Sequence, residues 1–240
     1  MKNRFRRLSG FLSAAILMVT FSGFAGEALP ADAADQQILV EKARVTFLEF
    51  MADQNMSWLR DHLKTAKGVI IIPELMKAGF FLGGSGGSGV LLVRDEEKND
   101  WSQPAFYTLG SASLGVQFGG EIAEVIMLVQ TQQGLQSLYS SSFKLGGDAS
   151  MTAGPVGVGQ KADILTDFVS FTKPKGAYVG VSLEGGVMAT RGEWNRAYYG
   201  RDVRPVEIVM MRSVSNPGAD ALREVVQKAA LGDGAPKAPR

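Results

Sequence analysis

The chain has 240 residues with no cysteine, one histidine and 29 glycines, and its 25 basic and 24 acidic residues leave a formal net charge of +1. Without cysteine there is no disulfide framework, thiolate metal site or cysteine nucleophile, and a single histidine excludes two-histidine zinc motifs. The near-zero charge excludes a polybasic nucleic-acid arm and an acidic disordered tail, while 45% hydrophobic content suits a globular core.

Residues 1–33 read as a secretory signal peptide. Lys2, Arg4, Arg6 and Arg7 make a basic start, and an apolar run follows from Leu8 to Phe21. That run spans 14 residues, short of the roughly 20 that cross a bilayer as a helix. Of two small-x-small cleavage sites, Gly23-Phe24-Ala25 and Ala31-Asp32-Ala33, the second is preferred. A lipoprotein anchor is excluded, because it needs a cysteine. Cleavage after Ala33 leaves 21 basic and 22 acidic residues, so the slight positive charge belongs to the leader. An exported protein, periplasmic or secreted, is expected. It should not bind nucleic acid or other polyanions by bulk charge.

In chain order, Asp35 to about Leu63 predicts helix, with Asp35 as N-cap. Ile38, Leu39, Ala43, Phe47, Met51, Met56, Leu59 and Leu63 draw one apolar stripe, and a break near Asp53-Gln54-Asn55 divides it in two. Glycine then concentrates, with 23 of the 29 between Gly68 and Gly200. Strands are predicted over Gly68–Ile72, which Pro73 ends, then over 79–82 and 89–94 around a glycine-rich turn. A helical turn is placed at 74–78. Further strands follow over 104–119, 121–129, 148–160, 164–172 and 177–190. Thr131 caps a helix over 132–141, a helical turn is placed at 193–199, and Asn216-Pro217 opens a last helix to Leu231. Residues 232–240 form a Gly/Pro/Ala-rich tail, expected to be disordered. Many serial strands with internal glycine, and no regular strand–helix alternation, predict an α+β fold. The expected architecture is a β-rich bent antiparallel sheet or partial barrel with helices at both ends, as one domain over 34–231.

Two motif matches fail on context. Gly84-Ser85-Gly86-Gly87-Ser88-Gly89 fits G-x-G-x-x-G, but a strand follows it, and dinucleotide binding needs a helix N-terminus there. Gly83-Gly84-Ser85-Gly86-Gly87 fits G-x-S-x-G, yet a nucleophile elbow needs a following helix and a later histidine, and the only histidine, His62, precedes it. A carboxylate pair such as Glu121 with Glu184 would be decided by its separation. No cofactor or metal is expected, and no enzymatic activity.

Ala66-Lys67-Gly68-Val69-Ile70-Ile71-Ile72-Pro73, Lys77-Ala78-Gly79-Phe80, the glycine run into Gly89-Val90-Leu91, and Trp101-Ser102-Gln103-Pro104-Ala105-Phe106 open an ordered set of blocks. Residues 115–119, 154–157 and 175–185, with Asn195 and Tyr198-Tyr199-Gly200, complete it. In this order they resemble the SYLF domain family. The resemblance implies a non-catalytic module that binds phospholipid or phosphoinositide-like headgroups at membrane surfaces. It implies actin binding only by analogy with eukaryotic members. Lipid contact in those members involves an amphipathic N-terminal segment and nearby basic residues. Here the matching positions are Arg60, Lys64, Lys67 and Lys77, with Trp58, Met56, Leu59 and Leu63 available for apolar insertion. Gly84, Gly86, Gly87 and Gly89 are the expected loop through which a ligand approaches the backbone. The competing expectation is a structural or protein-interaction module of the cell envelope, in which these apolar side chains simply pack on the sheet.

Overall fold

Unbroken apolar runs such as Val69–Ile72, Val90–Val93 and Val125–Val129 are stable as strands only where both faces of the sheet are covered. The computed structural model meets that demand. It describes residues 33–79, 82–114, 119–159, 162, 164–175 and 183–232. The segment read from sequence as a signal peptide, apart from Ala33, and the expected tail beyond Gly232 lie outside the described residues. So do Phe80, Phe81 and residues 115–118 and 176–182.

Helix α1 (Ala34–Ala52) is followed by a 3-10 turn and by α2 (Ser57–Leu63). The sheet strands are β1 (Gly68–Gly79), β2 (Leu82–Asp95), β3 (Asp100–Trp101), β4 (Ala105–Leu114) and β5 (Gly119–Val129). After α3 (Gln132–Ser137) come β6 (Ser142–Lys144), β7 (Met151–Ala153), β8 (Phe168–Pro174) and β9 (Val187–Thr190), then α4 (Gly192–Tyr199), α5 (Pro205–Val209) and α6 (Asp220–Leu231). The strand order is β6-β9-β4-β2-β1-β5-β8-β7, with β3 added to β2. All the pairings are antiparallel except β7 with β8, so the sheet is mixed. It curls into a half-barrel with helices at both chain ends, as expected.

Strand alternation sends Val69, Ile71, Val90, Leu92, Ile126, Leu128 and Phe171 to one face, where α1, α2, α4 and α6 cover them. Ile70, Ile72, Leu91, Val93, Val125, Met127 and Phe168 go to the other, beneath Leu135, Leu138, Phe143, Leu183, Ile208 and Val209. Each such side chain, fully buried, contributes about 1.5–3 kcal/mol. This two-sided core stands without disulfides.

Several local expectations change. Asp35 lies inside the first turn of α1, whose N-cap is Ala33. Asp53 ends α1 and accepts from Asn55 N at 2.9 Å, so the predicted break is real. Ile38 is 54% exposed, unlike the rest of its stripe, which is buried. Pro73 does not end β1, and 74–78 is not helical. The register slips by one residue between Ile72 and Leu75 against β5, with a matching irregularity against β2. Such a bulge is where a residue lacking N–H is tolerated inside a sheet. The glycine-rich turn is also a correction: Gly84, Gly86, Gly87 and Gly89 lie within β2, the first three paired to both β1 and β4 and Gly89, opposite the bulge, to β4 alone. Glycine is required here by close approach. A Cβ on Gly87 would lie 2.5 Å from the Glu74 carbonyl oxygen, on the bulged segment of β1. Thr131 and Asn216 cap as predicted, at 3.0 Å to Gly134 N and 2.9 Å to Gly218 N. The Asn216 cap opens first a 3-10 turn and then α6. Helix α3 is shorter than expected, and the long strands predicted over 148–160 and 177–190 reduce to β7 and β9 within the described residues. Helix α5 and the short strands β3 and β6 are additional.

Candidate functional site

The expected basic patch does not assemble as one surface. Arg60 turns inward along the helix junction, its guanidinium donating to the Met51 carbonyl at 3.3 Å, to that of Gln54 at 3.4 Å and to that of Asp53. These carbonyls belong to the last turn of α1, its C-cap Asp53 and the 3-10 turn that follows, so Arg60 pins the junction between the two helices. Lys64 is exposed just after α2, and its carbonyl accepts from Arg94. Lys67 forms an ion pair with Glu96 at 2.5 Å. Lys77 is ten residues along β1, about 33 Å away at strand rise, and faces Ser85 and Glu121 on its neighbours. Lys64 and Lys67 thus share one end of the sheet, while Lys77 belongs to the other.

The side chains expected for apolar insertion lie in the core. Trp58 is 2% exposed, stacks on His62 with centroids 3.5 Å apart, and donates from Nε1 to the Ala162 carbonyl at 3.0 Å. Met56, Leu59 and Leu63 are buried in the same core. Their helical spacing matches this packing on the sheet. Gly84, Gly86, Gly87 and Gly89 carry ladder positions of β2 against β4.

A site does form at the Lys67 end. Lys67 precedes β1, Arg94 closes β2, and Arg212 follows α5. Together with Asp95, Glu96, Glu97, Gln132, Leu135, Val209 and Met210 they line a cleft of about 310 Å³. Arg94 is held by the Lys64 carbonyl and by Asn99 Oδ1 at 3.0 Å. Arg212 has φ +51, a left-handed conformation few non-glycine residues adopt. Its guanidinium grips Asp100 at 2.6 Å and reaches Asp95 at 3.8 Å. Arg223 of α6 donates to the Trp101 carbonyl at 3.0 Å and pairs with Asp100, tying the C-terminal helix to the same turn. The cations set the carboxyl groups: hydrogen bonding to Lys67 holds Glu96 below its ordinary range, and a hydrogen bond from the Lys98 N–H, aided by Arg212, does so for Asp95. On the rim, Met210 is 49% and Met211 64% exposed. Sequence reasoning missed Arg94, Met210, Met211 and Arg212. The available signal was Pro205 at a helix N1 position, with Glu207 accepting from Arg204 N, which marks α5 and places the methionines just past its end.

A second hollow of about 390 Å³ lies between α1 and the sheet, lined in part by Ile38, Val45, Pro73, Glu74 and Glu124. Its buried carboxylate, Glu124, is already satisfied by Thr46 Oγ1 at 3.0 Å and Lys175 at 2.9 Å. Among the described residues no group of three or more His, Asp or Glu could hold a metal ion, and no helix is long and apolar enough to cross a membrane.

Comparison with known proteins places this geometry in a lineage. The family described as "Ysc84: Las17-binding protein actin regulator" matches residues 110–229. LAS seventeen-binding protein 3 of Saccharomyces cerevisiae is 33% identical over 71% of this chain and 38% of its own length. Protein YSC84 of the same species is 31% identical over 70% of this chain and 37% of its own. The bovine SH3 domain-containing YSC84-like protein 1 is 27% identical over 67% and 48%. The chain therefore spans less than half the length of these curated relatives. No solved structure matches it. The family match over half the chain, with yeast relatives above 30% identity, identifies this protein as a member of the Ysc84, or SYLF, domain family.

Proposed function

We propose that this chain is an exported, non-enzymatic lipid-binding module that associates reversibly with a phospholipid membrane surface. The observation that carries the reading is the cleft at the start of β1, where Lys67, Arg94 and Arg212 converge beside the exposed Met210 and Met211. Cationic side chains next to exposed apolar ones suit an interface that is half charged and half hydrocarbon. Each basic residue near an anionic surface contributes about 1 kcal/mol, so three cations alone bind weakly and the methionines supply the remainder. Flotation of the protein with phospholipid vesicles tests the reading: co-migration supports it, and absence from the vesicle fraction at low salt contradicts it.

The names of the relatives favour a second reading. A family described as Las17-binding and actin-regulating points to protein partners, and the same exposed rim could serve one. Actin comes to this chain by analogy alone. Co-sedimentation with filamentous actin, in the absence of vesicle binding, would select this reading.

A further inference from the structure

The inside of the half-barrel ends in a polar row. The sheet curls so that Phe143 of β6, at one edge, stacks on Phe168 of β8, six places further along the strand order, with ring centroids 5.6 Å apart. Both rings pack with Ile70, Leu91 and Val125, so that face is the concave one. On it, Leu109, Gly87, Leu75 and Ala123 lie side by side across β4, β2, β1 and β5, and the three side chains are buried. Two residues further along each strand the same face returns. The residues there are Ser111, Ser85, Lys77 and Glu121, again directly paired in that order. An apolar interior thus gives way to two hydroxyls, an ammonium and a carboxylate on one rung. The serine of Gly83-Gly84-Ser85-Gly86-Gly87 belongs to this rung and not to a nucleophile elbow.

All four side chains are half-buried. Ser85 Oγ and Ser111 Oγ share a hydrogen bond of 2.7 Å. It uses one of their two hydroxyl hydrogens and leaves the other to donate. Neither Lys77 nor Glu121 forms an ion pair among the described residues, although they are directly opposite. Glu121 Oε1 is buried without a hydrogen-bond partner, which is costly for an acceptor. A lone anion on Lys77 would meet the Glu121 carboxylate one strand away, about 4.8 Å, and a lone cation on Glu121 would meet Lys77. A small molecule bearing both charges answers both. An α-amino acid carries them on one carbon, which suits opposite charges on adjacent strands.

We propose that this row binds a free α-amino acid. Its carboxylate sits on the Lys77 ammonium and the free hydroxyl of the serine pair, and its ammonium on the Glu121 carboxylate. The row lies at the other end of β1 from the Lys67 cleft, and the inference does not rest on the lipid reading.

Titration calorimetry of the full chain with L-alanine, propionate and ethylamine tests it. L-alanine should bind. Propionate and ethylamine, each lacking one charge, should bind at least about tenfold more weakly. Lys77→Gln and Glu121→Gln should each weaken L-alanine binding about tenfold, and Ser85→Ala about threefold, with unfolding midpoints measured in parallel. The three ligands are compared on the native chain, so the test holds even where a variant fails to fold. Propionate binding as tightly as L-alanine marks a simple anion site and overturns the inference, and undiminished binding by Lys77→Gln does the same. Absence of L-alanine binding at millimolar concentration means that Lys77 and Glu121 satisfy each other, and overturns it as well.

Discussion

Gly89 on β2 lies so close to Ile71 on β1 that a Cβ at the glycine would come within 2.5 Å of the Ile71 carbonyl oxygen. The same atom would lie 2.6 Å from Ile72 Cγ1. The bulge that carries Pro73 through β1 pushes the backbone toward β2, and the glycines of β2 leave room for it. Gly89→Ala should cost about 2–3 kcal/mol through overpacking against backbone that cannot retreat. Gly86→Ala is the control, since its Cβ would meet nothing nearer than the Leu109 carbonyl oxygen at 4.0 Å. That variant should be neutral or slightly stabilising. Urea unfolding of the two variants checks the contrast.

Trp58 belongs to the core. Trp58→Ala should destabilise by about 3–5 kcal/mol, because it removes a buried ring stacked on His62 and a hydrogen bond to Ala162. Vesicle binding by the fraction that remains folded should be unchanged. Thermal unfolding and flotation of the folded fraction, measured on one preparation, separate the two effects.

Acid should loosen the α3 region through Asp167. Burial by itself would raise this carboxyl, but hydrogen bonds from Thr131, from the Ser150 hydroxyl at 2.7 Å and from the Ser150 N–H at 2.9 Å overcome it and hold the group below its ordinary range. A carboxyl depressed on folding contributes stability above its unfolded value, near pH 3.9, and loses it as pH falls through the folded one. Urea midpoints should therefore decline below about pH 4, and Asp167→Asn should be less stable at neutral pH with a flatter acid limb. A variant with the same acid slope as the native chain would contradict this role.

Export predicts a processed chain. The product purified from cells should have an intact mass corresponding to a start at Ala34, as cleavage after Ala31-Asp32-Ala33 requires. A mass that retains Met1 or Lys2 would contradict the signal-peptide reading.

The fold was more legible than the site, for a physical reason. Hydrophobic runs with β-branched residues announce strands buried on both faces, and capping side chains such as Thr131 and Asn216 act over two or three residues, so both are local signals. The glycine run was misread because glycine marks turns and close approaches alike. Only the partner strand, with its bulge at Pro73, shows which applies. Trp58 and Leu63 looked amphipathic because a helix that packs on a sheet and a helix that lies on a membrane share one periodicity. The cleft joins Lys67 and Arg94 to Arg212, which lies more than a hundred positions further on. No spacing rule reaches across that distance, and the resemblance found the lysines near β1 without their partners.

The cleft at the Lys67 end of the sheet is the surface proposed to meet a membrane. Flotation of the native protein beside Lys64→Glu/Lys67→Glu tests it most directly, with the unfolding midpoint of each measured in parallel. The native chain should rise with the vesicles, and the double variant, equally well folded, should bind at least about tenfold more weakly. Equal flotation of the two, or of neither, would contradict it.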